Sequence, residues 1–317
     1  MARSLGFQTT AEEAARGCDL TGKTIVVTGG SAGLGIETAR VLASCGAKIV
    51  SVVRDRAKGE AAAATIRESV PKADLELAEL DLANLDSVRR GADRIAKRFP
   101  RIDRLVNNAG VMACPLARTA EGLDLQLGTN HLGHFVLTAR LIQSVLAGAP
   151  ARIVNLSSGG HRLSPMRFED PFFEKEPYEK WVAYGQAKTA NVLFSVALDK
   201  RFRDRGVRAF AVHPGAIQTE LGRHLGPDDL KALMAQRPQG AKMRYKELAQ
   251  GAATTVWTTT APELEGRGGV YCEDCQIAEP IEDPTAENGV MAYALDESAA
   301  DRLWALSEEW SGEAFPV

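Results

Sequence analysis

The chain has 317 residues, 45% of them hydrophobic and 25% charged, enough for a full α/β core and unlike a disordered or fibrous composition. A formal net charge of −3 offers no field for nucleic acid or an anionic membrane, so the expected partner is a small molecule. The five scattered cysteines (Cys18, Cys45, Cys114, Cys272, Cys275) fit reduced thiols, and Met1 to Leu20 lack a signal-peptide pattern, so a cytoplasmic location without stable membrane insertion is expected.

In chain order, residues 1–22 read as an N-terminal arm, and 23–317 as one Rossmann-type domain built on a doubly wound parallel sheet. Strands are predicted from Thr24 to Val27, Lys48 to Val53, Asp74 to Leu80, Arg104 to Asn107, Arg152 to Leu156 and Val207 to Val212. Helical patterns lie between them, from Ile36 to Ser44, Lys58 to Ser69, Leu85 to Arg98, Leu123 to Ala147 and Tyr184 to Arg203. This alternation is that of repeated βαβ units. Two insertions stand out as substrate loops, near 161–183 with Pro165, Pro171 and Pro177, and near 218–245.

The first strand runs into Thr28-Gly29-Gly30-Ser31-Ala32-Gly33-Leu34-Gly35 and then a helix. Glycines there let backbone approach a pyrophosphate, and the helix start attracts the anion. The spacing is TGxxxGxG rather than GxGxxG. After the second strand, Val53 stands where an NAD-preferring site places an acid, and Arg54 follows it, suited to a 2′-phosphate.

Tyr184 and Lys188 are four apart on one predicted helix face, where an ammonium can lower a phenol's pKa of about 10. Ser157 and Ser158 end a strand at the sheet's C-terminal edge, as do Asn107-Asn108-Ala109-Gly110 and Pro214-Gly215, where open α/β folds bind ligands. Cys272 and Cys275 form a CxxC without a partner pair, and the five histidines show no metal spacing, so no metal is expected.

With TGGSAGLG, Asp81-Leu82, NNAG, Asn130, Ser158, YGQAK and HPG in succession, nearly the whole chain resembles the short-chain dehydrogenase/reductase family. DLTGKTIVVTGG, RIVNLSSGGH with KTANVLFS, and GGVYCEDC with RLWALSEEW are most similar to the retinol dehydrogenase and WW-domain oxidoreductase group and its bacterial relatives. The resemblance implies an NADP(H)-dependent oxidoreductase acting on an alcohol/carbonyl pair, and a homo-oligomer is compatible with it. It makes Tyr184 the proton donor or acceptor, Lys188 its activator and ribose ligand, Ser158 the holder of the substrate oxygen, and Asn130 the holder of a relay water. Gly29, Ser31, Gly33, Leu34 and Gly35 would take the pyrophosphate side, Arg54 the 2′-phosphate, and Asp81 and Leu82 the adenine. Asn108, Ala109 and Gly110 would line the ribose, and Pro214, Gly215, Ile217 and Thr219 the carboxamide. Met166, Phe168, Phe172, Phe173, Trp181, Leu221, Leu225 and Met234 suggest an apolar pocket. Two rival readings are a non-catalytic nucleotide-binding regulator or scaffold, and a thiol–disulfide enzyme on Cys272 and Cys275, which requires an exposed thiol of low pKa.

Overall fold

A computed structural model describes residues 5–223, 225, 226, 228, 229 and 244–316. Strands β1 (Thr24–Thr28), β2 (Lys48–Val53), β4 (Arg104–Asn107), β5 (Ala151–Leu156) and β6 (Val207–His213) form at short, mainly apolar runs, and β3 (Asp74–Glu79) at an alternating polar and apolar one. A short pair, β7 (Ala216–Ile217) with β8 (Tyr245–Lys246), stands apart from them, and β9 (Val270–Glu273) and β10 (Gln276–Ile277) follow. The main sheet runs β10-β9-β6-β5-β4-β1-β2-β3. It is parallel except where β10 turns back on β9, and the strand order reverses at β1 and β4, the crevice where such sheets bind ligands.

Alternate residues of β1 face opposite ways, as strand geometry requires: Ile25 and Val27 enter one core, Val26 the other. Helices α1 (Ala11–Ala14), α2 (Gly33–Ser44) and α3 (Arg56–Ser69) cover the first face. On the second lie α4 (Leu85–Arg98), then α5 (Leu125–Leu127), which runs through a π-helical turn at Gly128–Leu132 into α6 (Gly133–Ala147), and α7 (Lys180–Phe202). The first face also takes α8 (Leu248–Thr260), and the second takes α9 (Glu297–Ser311).

Three features differ from the sequence expectation. The stretch from Leu123 to Ala147 is broken by its π turn rather than uniformly α-helical. Periodicity misses α8 because Gly251 to Thr259 are buried on every side, which leaves no polar face. Its Thr258, Thr259 and Thr260 hydroxyls donate back to helix carbonyls. The arm is packed rather than appended: Thr10 and Glu13 form a capping box for α1, and Ala11, Ala15 and Leu20 are buried in the first core. Met234 and most of the 218–245 loop lie outside the described residues.

Candidate active site

The glycine turn is backbone packed on backbone. Gly29 and Gly33 have φ of +72° and +50°, favourable for glycine. A Cβ on Gly35 would stand 2.1 Å from the Gly29 carbonyl oxygen, and one on Gly30 would strike Ser51 Oγ. Ala32, at the N-cap of α2, offers no side-chain cap, so the first-turn N–H groups are free for an anion. From the other side, Thr219 packs over Gly33, and Ile217 and Leu34 pack around Gly251. A cradle this narrow with an uncapped helix start can hold a dinucleotide pyrophosphate.

A buried hydrogen-bond chain ties this turn to the next strand end. Thr28 Oγ1 accepts from the Asn108 and Ala109 N–H groups at 2.9 and 3.0 Å. With both lone pairs taken, its proton goes to His134 Nε2, 2.9 Å away. His134 must then carry its proton on Nδ1, which donates to the Asn130 carbonyl at 3.0 Å. Burial holds this imidazole down to about 4, so it stays neutral. Asn130 occupies the π turn and spends its amide on Val111, accepting from its N–H at 2.8 Å and donating to its carbonyl at 2.9 Å. Gly110 is needed beside it, since a Cβ there would sit 2.9 Å from Asn130 Oδ1.

On α7, Tyr184 and Lys188 lie one turn apart and are both buried. The Tyr184 hydroxyl bonds Ser158, which partly offsets the burial that pushes the phenol up to about 12. Lys188 Nζ lies 5.7 Å from the Tyr184 ring centroid and donates to the Leu156 carbonyl at 2.9 Å, while burial draws it down to about 8. The lysine thus meets the tyrosine through the ring face, and the Ser158 bond eases the phenol's ionisation. Ser157 points elsewhere, donating to the Lys188 carbonyl at 2.8 Å. Ser158 starts a short 3-10 turn, Gly159–Leu163, by accepting from Gly160 N–H at 3.0 Å. At Gly160 a Cβ would fall 2.6 Å from the Tyr184 ring.

Two further histidines hold this turn. His161 Nε2 accepts from Met291 N–H at 3.1 Å, so its Nδ1–H donates to the Ser158 carbonyl at 2.7 Å. His213 Nδ1 accepts from both Gly159 and Gly215 N–H, at 3.0 and 3.3 Å, joining the serine turn to the Pro214-Gly215 turn. Sequence reasoning passed over His213, although its place in HPG beside a strand end was the available signal. Around Tyr184 the apolar shell comprises Met112, Ala113, Leu163, Trp181 and Leu225. Of the proposed pocket residues, Met166, Phe168 and Phe172 instead pack into the second core, because the loop carrying them folds back towards α9.

At the far end of the crevice Val53 is buried and Arg54 exposed. Asp55 caps α3 by accepting from Lys58 N–H at 3.1 Å, and Arg56 is paired with Glu60. Arg54 lines an open groove with Arg90, Arg94 and Asp81. Asp81 accepts from Ala83 N–H at 3.0 Å, and Leu82 is buried with its carbonyl against Gly133. The thiol–disulfide reading fails here: Cys272 and Cys275 are buried, and burial pushes both thiols up, Cys275 to about 11.

A family model described as short chain dehydrogenase matches residues 23–230. A probable oxidoreductase of Streptomyces lividans is 43% identical over 290-odd residues, 90% of this chain and 96% of that protein. Human retinol dehydrogenase 12 is 38% identical over 92% of this chain and 87% of its own. Among solved structures, a Mycobacterium paratuberculosis protein is 34% identical with a TM-score of 0.72, covering 96% of this chain and 98% of that one. A Burkholderia cenocepacia short chain dehydrogenase in complex with NADP is 26% identical with a TM-score of 0.63, covering 80% of this chain and 96% of that one.

Proposed function

The chain belongs to the short-chain dehydrogenase family, and on that footing we propose that it is an NADP(H)-dependent oxidoreductase moving a hydride between nicotinamide and an apolar alcohol/carbonyl pair. The observation that carries this reading is Tyr184: a buried phenol, neutral near pH 7, bonded to Ser158 and backed by Lys188. NADP rather than NAD is supported by Arg54 beside buried Val53 and by the NADP complex of the Burkholderia relative. An apolar substrate is supported by the shell around Tyr184 and by the retinol dehydrogenase likeness. A cytoplasmic location is part of this proposal. Among the described residues no helix is long and apolar enough to cross a membrane.

Bound NADPH supplies the hydride. In reduction, the Ser158 hydroxyl holds the carbonyl oxygen while Tyr184 passes its proton to that oxygen as charge builds there. The phenolate left behind faces the Lys188 ammonium across the ring, which offsets its charge. A relay water at Asn130 would meet a side chain held by Val111 and a main-chain carbonyl that already accepts from His134 Nδ1. NADPH oxidation by the purified protein, followed across a panel of ketones and aldehydes, tests the reading. Turnover of bulky apolar carbonyls is expected. Binding of NADPH without turnover of any carbonyl would instead favour a non-catalytic nucleotide-binding protein, and higher kcat/KM for short hydrophilic aldehydes would overturn the apolar assignment.

A further inference from the structure

Five cysteines divide into two environments. Cys114, Cys272 and Cys275 are buried, and burial raises each thiol, which makes them poor nucleophiles. Cys18 and Cys45, distant in sequence, meet at the N-terminal edge of the sheet, beside Arg104 and across the sheet from Tyr184. Cys18 follows α1 within the arm, and Cys45 is the C-cap of α2. Their backbones are held side by side because Leu20 N–H donates to the Cys45 carbonyl at 2.8 Å. The two sulfurs share a hydrogen bond, and both residues are only partly buried at the rim of the first core. The bond from Cys18 draws the Cys45 thiol down to about 7, while the same bond, with burial, raises Cys18. In such a pair one sulfur can carry the thiolate while the other keeps the shared proton.

We propose that Cys18 and Cys45 are an oxidation site, at which a hydroperoxide converts the two thiols into a disulfide joining the N-terminal arm to α2. The Cys45 thiolate attacks the O–O bond of hydrogen peroxide, taking one oxygen as sulfenic acid and releasing hydroxide, which is protonated to water. Cys18 sulfur then attacks the sulfenic sulfur, the S–S bond forms, and the Cys18 proton leaves with the hydroxyl as a second water. Two electrons pass from the sulfurs to the peroxide. Because α1 packs on α8 and α2, the bond stiffens the arm without touching Tyr184, Lys188 or Ser158.

The test treats the reduced full-length protein with hydrogen peroxide near neutral pH, alkylates and digests it, and maps the peptides. Free thiols should fall from five to three, with a dithiothreitol-reversible peptide pair linking Cys18 to Cys45 and lighter by two hydrogens. Tm should rise by roughly 5 °C while carbonyl turnover is unchanged. An unchanged thiol count, a sulfinic acid on Cys45 without the cross-link, or losses traced to Cys114, Cys272 or Cys275 would overturn the proposal. In Cys18→Ala the cross-link should vanish, and the pH midpoint for alkylating Cys45 should climb from about 7 towards that of an ordinary thiol; a midpoint that does not move also sinks it. Neither readout depends on the carbonyl chemistry, so failure here leaves the functional reading standing.

Discussion

The two ends of the crevice share one sheet edge but work in different media. At the reaction end, Tyr184, Lys188, His134 and His161 are buried, and their ionisation is displaced by burial and fixed hydrogen bonds. At the adenosine end, Arg54 and Asp55 are exposed and sit in water. On the proposed reading, chemistry that needs a tuned proton would take place where solvent is excluded, and recognition of a phosphate would fall to an arginine left in water.

The sharpest break in this contrast is Tyr184→Phe. It keeps the ring and removes the proton donor, so kcat for carbonyl reduction should fall by about 10²–10⁴-fold with NADPH affinity nearly unchanged. Stopped-flow turnover alongside fluorescence titration checks both halves. Retention of most of the turnover would remove Tyr184 from its assigned role.

The buried histidines should give the fold an acid limit. Burial lowers His131, His134 and His161 to about 3, 4 and 4 from 6.5, so between those values the unfolded chain binds more protons. Stability should be intact above pH ~6.5 and be lost as pH falls towards 4, by several kcal/mol in total. Urea unfolding across that range measures it, and His134→Gln should flatten part of the slope. A flat profile would mean these imidazoles are not held neutral.

Lys188→Met should separate function from stability. Activity should fall sharply, yet at pH 7 the protein should gain on the order of 2–3 kcal/mol, because a buried ammonium whose pKa is drawn from 10.5 to about 8 costs that much to keep charged. The Leu156 carbonyl keeps its bond from Asn191 at 2.9 Å. In the wild type the cost is present below pH ~8 and fades as pH rises towards 10.5, so the variant's advantage should shrink over that window. Guanidinium melts at two pH values decide the point.

The adenosine end should respond least and most simply. Val53→Asp with Arg54→Ala should shift the NADPH/NADH ratio of kcat/KM by roughly ten- to a hundredfold towards NADH, the worth of one charge-assisted bond of about 1.5–3 kcal/mol. The effect should weaken with added salt, because Arg54 is exposed. A ratio that does not move would shift the assignment to Arg90 or Arg94, which line the same groove.

Local pattern was enough for the strands β1 to β6, the glycine turn after β1 and the spacing of Tyr184 and Lys188, because each depends on residues near one another along the chain. The helices α8 and α9 and the strand β9 escaped, α8 because it is buried all round and shows no periodicity. The proton position on His134 and the bridge that His213 builds between two turns depended on partners brought together by folding. The cysteines make the same point in reverse. Cys272 and Cys275, a visible CxxC, are buried and inert, whereas Cys18 and Cys45 show no motif and meet only because Leu20 pairs with the end of α2. Sequence alone determined which chemical groups stand at each strand end. Burial and hydrogen-bond partners, which set whether those groups hold a proton, exist only in the tertiary structure.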